Sequence, residues 1–100
     1  MNNKIKTVIL LFLLPLFAFA QSVVTGVVTD KDNLPVLGAT VLVKGTQNAT
    51  STDFDGKYTL SNVPEDAVIV ISYIGYATQE IPVNGQSTIN VTLADDASEL

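Results

Sequence analysis

The chain contains no cysteine, no histidine and no arginine. Without His or Cys, the Ser-His-Asp and Cys-His arrangements of nucleophilic catalysis are impossible. Without Cys, no disulfide can brace the fold, which must rest on core packing alone. Without Arg, and with five lysines against ten carboxylates, the chain is a poor partner for nucleic acid or anionic lipid, because neutralising phosphate needs Lys and Arg. No stretch carries an apolar period near 3.6 of useful length, so helices are not expected.

Long apolar runs are also scarce, with one exception at the start. Lys4 and Lys6 precede an apolar run from Val8 to Phe17, and Ala18-Phe19-Ala20 follows before Gln21. That order is the basic region, apolar region and small-residue cleavage site of a secretory signal peptide, predicted over 1–20. Spanning a bilayer needs roughly 20 apolar residues, and Pro15 interrupts this shorter run. No Cys follows it, so a lipid-modified N-terminus is not expected. The two leader lysines hide acidity: the net charge of −5 becomes −7 from Gln21 onward. A domain this small buries roughly 60–65 % of its unfolded surface, so stability of a few kcal/mol is expected.

From Gln21 the pattern is that of short strands between turns. Ser22–Asp30 alternates, with Val24, Gly26 and Val28 on one face, and Gly26 marks a bulge or a close backbone approach. Gly38–Leu60 reads as a β-meander: a strand over Thr40–Lys44, a polar loop over Thr46–Thr50, and a short strand over Thr52–Phe54 entering the Asp55-Gly56 turn. Lys57–Leu60 then returns. Ala67–Tyr73 is apolar on both faces and is therefore central or covered on both sides. Ala77–Val83 alternates, and Pro82 confines it to an edge or a strand end. Thr88–Leu93 alternates cleanly. Seven short strands indicate an all-β sandwich of two sheets. The predicted core is Val24, Val28, Val41, Val43, Tyr58, Leu60, Ile69, Ile71, Ile89, Val91 and Leu93. The domain is placed at 21–94, and the acidic stretch 95–100 reads as a linker.

Candidate chemistry is sparse. Asp53, Asp55 and Gly56, with Asp30 and Asp32, invite a Ca²⁺ reading, but no Glu stands where an EF-hand loop requires one. Turn geometry with side-chain-to-amide bonds accounts for them, and no metal site is predicted. Glu65-Asp66 and Asp95-Asp96 are adjacent pairs rather than the facing carboxylates of glycoside hydrolysis. No catalytic residue, cofactor or enzyme activity is expected. Asn48-Ala49-Thr50 and Asn90-Val91-Thr92 match the glycosylation sequon. Tyr73 and Tyr76, at a strand end, are the candidate partner-binding residues, against ordinary closure of the core.

Several stretches together carry a family resemblance. They are Val24–Asp30, Leu34–Val41, Lys44-Gly45-Thr46, Thr52–Tyr58 and Ile71–Tyr76. In this order and spacing they resemble the carboxypeptidase-regulatory-like domain. Ser72-Tyr73-Ile74-Gly75-Tyr76 resembles the version at the N-terminus of SusC/RagA-type TonB-linked outer-membrane proteins of Bacteroidetes. The resemblance covers about Val23 to Leu93 and implies a transthyretin-like, Greek-key sandwich of seven strands. For the SusC-like proteins it implies a periplasmic domain ahead of a TonB box, a plug and a transmembrane barrel. Those proteins import glycans or peptides. The partners it implies are TonB-system proteins, the barrel and plug of the same receptor, or a lipoprotein lid. No box, plug or barrel strands occur in this chain, so it is expected to be a fragment of a receptor. The alternative is a short free-standing or surface-displayed module that binds glycan or protein. Hydrolases of transthyretin-like fold use His and Arg, which are absent.

Overall fold

A computed structural model describes residues 21–96 of the chain; the predicted signal peptide over 1–20 and the last four residues of the acidic stretch lie outside them. Seven strands run in order: β1 Gln21–Thr29, β2 Thr40–Val43, β3 Ala49–Ser51, β4 Lys57–Pro64, β5 Val68–Ser72, β6 Gln79–Pro82 and β7 Val91–Thr92. They form two sheets, one ordered β4-β1-β7 and the other β3-β2-β5-β6. The architecture is a seven-stranded β-sandwich. As the two-faced apolar pattern requires, β5 is central, and Pro82 sits on the edge strand β6.

All eleven predicted core residues are buried, joined by Val36, Ala39, Val63 and Val83. The four additions lie outside the predicted strands or at their ends, so alternation could not assign them a face. The core is wholly aliphatic except for Tyr58.

The meander expected over Gly38–Leu60 does not form. β3 pairs with β2, whereas β4 pairs with β1 in the opposite sheet. The Asp55-Gly56 segment is therefore a crossover between sheets and not a hairpin. The short strand also lies earlier than expected, over Ala49–Ser51. Thr52 is fully inside, its hydroxyl donating to the Val36 carbonyl at 2.6 Å and accepting the Ala39 amide at 2.9 Å. A buried threonine with both hydrogen-bonding roles filled fixes the turn from β3 into the crossover.

Thr88–Leu93 is interrupted as well. Its partner is β1, in parallel, and only Val91-Thr92 keeps regular pairing. At Ile89 the carbonyl turns inward to accept the Tyr58 hydroxyl at 2.6 Å. The Val27 amide bonds instead to the Asn90 side-chain oxygen at 3.0 Å. Among the described residues no buried side-chain polar atom is left without a partner, but the ladder is broken at that point. Gly26 makes this possible, since a Cβ there would lie 1.8 Å from the Ile89 carbonyl oxygen. The close approach expected of Gly26 is thus a backbone-to-backbone crossing.

Pairing register places the connections at two ends. Thr40 faces both Ser51 and Ser72, Ile71 faces Gln79, Val27 faces Lys57, and Thr29 faces Thr92. Loops 30–39, 52–56 and 73–78 and the tail 93–96 therefore gather at one end, here the exit end. Loops 44–48, 65–67 and 83–90 gather at the far end.

Candidate functional site

The exit end is built from two copies of one turn. In the first, the Asp30 carboxylate oxygen Oδ1 accepts the amides of Asp32 and Leu34 at 2.9 and 3.0 Å. In the second, Asp53 Oδ1 accepts the amides of Asp55 and Lys57, both at 2.9 Å. In each the fourth residue has positive φ, 68° at Asn33 and 74° at Gly56. Asn and Gly are the residues that tolerate that conformation. These aspartates thus act on backbone, as the turn reading of the sequence expects. Among the described residues no group of three or more Asp, Glu, His or Cys is arranged to hold a metal ion.

The two turns touch. The Val28 amide donates to the Gly56 carbonyl at 2.8 Å, and the Val36 amide donates to the Val28 carbonyl at 3.0 Å. A Cβ on Gly56 would lie 2.5 Å from the Val28 oxygen and 3.2 Å from Pro35. The Gly38 amide donates to the Thr52 carbonyl at 3.1 Å. The end is consequently a locked surface and not a set of loose loops.

This rigid surface displays apolar side chains. Ile74 is 90 % exposed, Phe54 83 %, Leu34 58 % and Leu37 47 %. Among the described residues, the other large apolar side chain so exposed is Val23 on β1. Tyr73 and Tyr76, on either side of Ile74 in the chain, are half-buried against the core, their ring centroids 6.0 Å apart and tilted by 36°. A shallow open depression runs beside them, lined by Gly38, Thr40, Ser72, Tyr73 and Ile74. The structure thus brings the two candidate tyrosines together and adds three apolar residues that sequence reasoning missed. Positions 34, 37 and 54 are far apart in sequence from 74, and only the crossover unites them.

The tail is pinned to the same end. Ala77 donates its amide to the Ala94 carbonyl at 2.8 Å, Tyr76 bridges to Asp95, and the Lys31 ammonium reaches Asp95 Oδ2 at 2.8 Å. That hydrogen bond and charge hold the Lys31 ammonium above its ordinary range. Asp30, Asp32, Asp53, Asp55, Asp95 and Asp96 all fall at this end, against Lys31 and Lys57. The exit end therefore combines exposed apolar side chains with an excess of carboxylates.

Two packed sheets of three and four strands, with exposed apolar side chains and aspartates gathered at one end, define an all-β sandwich module. The chain belongs to the CarboxypepD_reg-like domain family, whose profile matches residues 24–100. It is 51 % identical over 84 residues to the TonB-dependent receptor SusC of Bacteroides thetaiotaomicron, covering 83 % of this chain and 8 % of that protein. It is 47 % identical over 81 residues to the TonB-dependent receptor P39 of Formosa agariphila, covering 81 % of this chain and again 8 % of the relative. The chain thus spans about a tenth or less of the length of these relatives, and it matches their N-terminal region. Among solved structures, a type II Cohesin-X-Dockerin complex from Acetivibrio cellulolyticus contains a chain that superposes with a TM-score of 0.61. The identity is 20 %, and the superposition covers 74 % of this chain and 58 % of that one. At that identity the likeness concerns the sandwich fold alone.

Proposed function

We propose that this chain is the periplasmic, non-catalytic N-terminal domain of a SusC/RagA-type TonB-dependent outer-membrane receptor that takes up glycans or peptides. The carrying observation is the 51 % identity to SusC over 83 % of the chain. A leader of secretory type and the absence of His, Cys and Arg support the exported and non-catalytic parts. The carboxylates also argue against acid-base work. Asp30 and Asp53 are occupied by backbone amides, and Glu65 and Asp66 stand at the opposite end of the sandwich.

The mechanism in this reading is indirect: the module positions the polypeptide that leaves it and contacts receptor or TonB-system surfaces, with Tyr73 and Tyr76 in the contact face. Deleting residues 21–93 from the receptor, with leader and linker kept, is expected to impair growth on the imported nutrient. Unchanged growth at equal receptor abundance overturns the proposal. A second reading, a free-standing glycan-binding module, rests on the same tyrosine pair. Titration against a glycan panel with no perturbation at Tyr73 or Tyr76 removes it.

A further inference from the structure

We propose that the exit end docks onto the receptor polypeptide that follows this domain, on a surface that combines apolar side chains with lysine and arginine. This rests on the receptor reading given above.

Three observations carry it. Four of the five large apolar side chains exposed among the described residues, Leu34, Leu37, Phe54 and Ile74, lie in connections that the strand register sends to one end. Displaying Ile and Phe on locked turns serves no folding purpose, and clustered exposed apolar groups mark contact sites. Second, six aspartates fall at the same end with only two lysines, so a complementary surface is basic. A second copy of this chain would bring the same acidic excess against the first, which disfavours end-to-end pairing. Third, Leu93–Asp96 is fastened to this end through Thr29, Ala77, Tyr76 and Lys31. Polypeptide continuing from Asp96 starts at the end that carries Ile74 and is tethered at an effective concentration on the order of millimolar. A weak contact of modest area is then enough to hold the domain in place.

The test uses the complete receptor in its own outer membrane. A photo-crosslinking benzoylphenylalanine is placed at Phe54 or Ile74, with control positions Gln47 and Gln86 at the far end. The expected result is a crosslink within one polypeptide from positions 54 and 74, and none from 47 or 86. The captured peptide should mix apolar and basic residues. In detergent-extracted receptor the yield should fall as salt rises to about 0.5 M, where exposed charges are screened. The paired change Phe54→Ser and Ile74→Ser should abolish the crosslink from a probe at Leu37. A crosslink to a different protein, a crosslink between differently tagged copies, an acidic captured surface or no crosslink overturns the proposal. Impaired import on domain deletion together with any of those outcomes removes the docking proposal and leaves the receptor reading standing. Normal import on deletion removes the receptor reading itself.

Discussion

The two ends of the sandwich are folded with equal care and finished differently. At the far end, the Thr46 hydroxyl donates to the Val43 carbonyl and accepts the Asn48 amide, and the Gly85 amide donates to the Glu65 carbonyl. The side chains left outside there are polar: Gln47, Glu65, Asp66, Asn84, Gln86 and Ser87. At the exit end the turns are as fully bonded, yet Phe54 and Ile74 stand in solvent. A chain of this size gains nothing in solubility from that choice. The far end shows that this fold closes with polar turns, and that contrast is what the docking proposal accounts for.

The largest expected difference between the two ends comes from their glycines. Gly56 at the exit end and Gly85 at the far end have nearly the same φ, 74° and 71°. A Cβ on Gly56 would meet the Val28 carbonyl at 2.5 Å, whereas on Gly85 it would meet nothing within 4 Å. Gly85→Ala should therefore cost only the left-handed backbone term, about 1–2 kcal/mol. Gly56→Ala adds a clash with backbone that cannot move without parting the two turns, and should cost about 3 kcal/mol or more. Urea unfolding of the two variants separates them. Equal losses would mean that the exit-end turns yield easily, and the contrast in rigidity would collapse.

Between the ends lies the Tyr58 seam. Burial pushes the Tyr58 hydroxyl up to about 12, from an ordinary value near 10, and only the protonated form can donate to Ile89. The unfolded chain loses this proton first as pH rises. The stabilisation is thus fully present below about pH 10 and lost between about pH 10 and 12, amounting to roughly 2–3 kcal/mol at the limit. Tyr58→Phe should flatten that decline. It should also cost about 1–3 kcal/mol at neutral pH, because the Ile89 carbonyl is left without its partner. A pH series of melting curves for both proteins reads the difference.

Asp53→Ala removes the acceptor of two amides and should cost about 1–2 kcal/mol, by analogy with loss of a helix cap. Asp30→Ala, in the twin turn, should cost a similar amount. At the far end Thr46→Ala breaks a neutral and exposed turn, and about 0.5–1 kcal/mol is expected. Chemical denaturation of the three variants ranks the turns. A far-end loss matching the exit-end pair would show that the aspartate turns confer no special rigidity.

How much of this was legible in the sequence depended on the range of the interaction. Strand alternation is local, and it gave the core from Val24 to Leu93 and the central place of β5. The Asp-Gly turn was legible as a turn but not as a crossover, because the choice between pairing β4 with β3 or with β1 is made by long-range packing of Val24, Leu60 and Val63. Thr52 read as the start of a short strand, and its two buried partners, at Val36 and Ala39, lie 16 and 13 residues away. The interruption at Ile89 was hidden for the same reason, since it depends on Gly26 and Tyr58 meeting one carbonyl. Tyr73 and Tyr76 were visible as a candidate pair because they are near neighbours in the chain. Phe54 read as the last residue of a short strand entering the Asp55-Gly56 turn, and nothing local connected it with Ile74.

The smallest expected effect on folding is the most informative about the exit end. Phe54 and Ile74 are 83 % and 90 % exposed, so replacing both by serine removes almost no buried apolar surface. The change in stability should stay within about 0.5 kcal/mol. A core change of similar chemistry, Ile71→Ser, removes a side chain with no exposure and should cost about 4 kcal/mol or more. If the double serine variant melts like the parent but the receptor carrying it imports poorly at equal abundance, the exposed pair is a contact site whose worth lies outside the domain. If it instead melts several degrees lower, the two side chains are part of the fold. The exit end would then differ from the far end in composition alone.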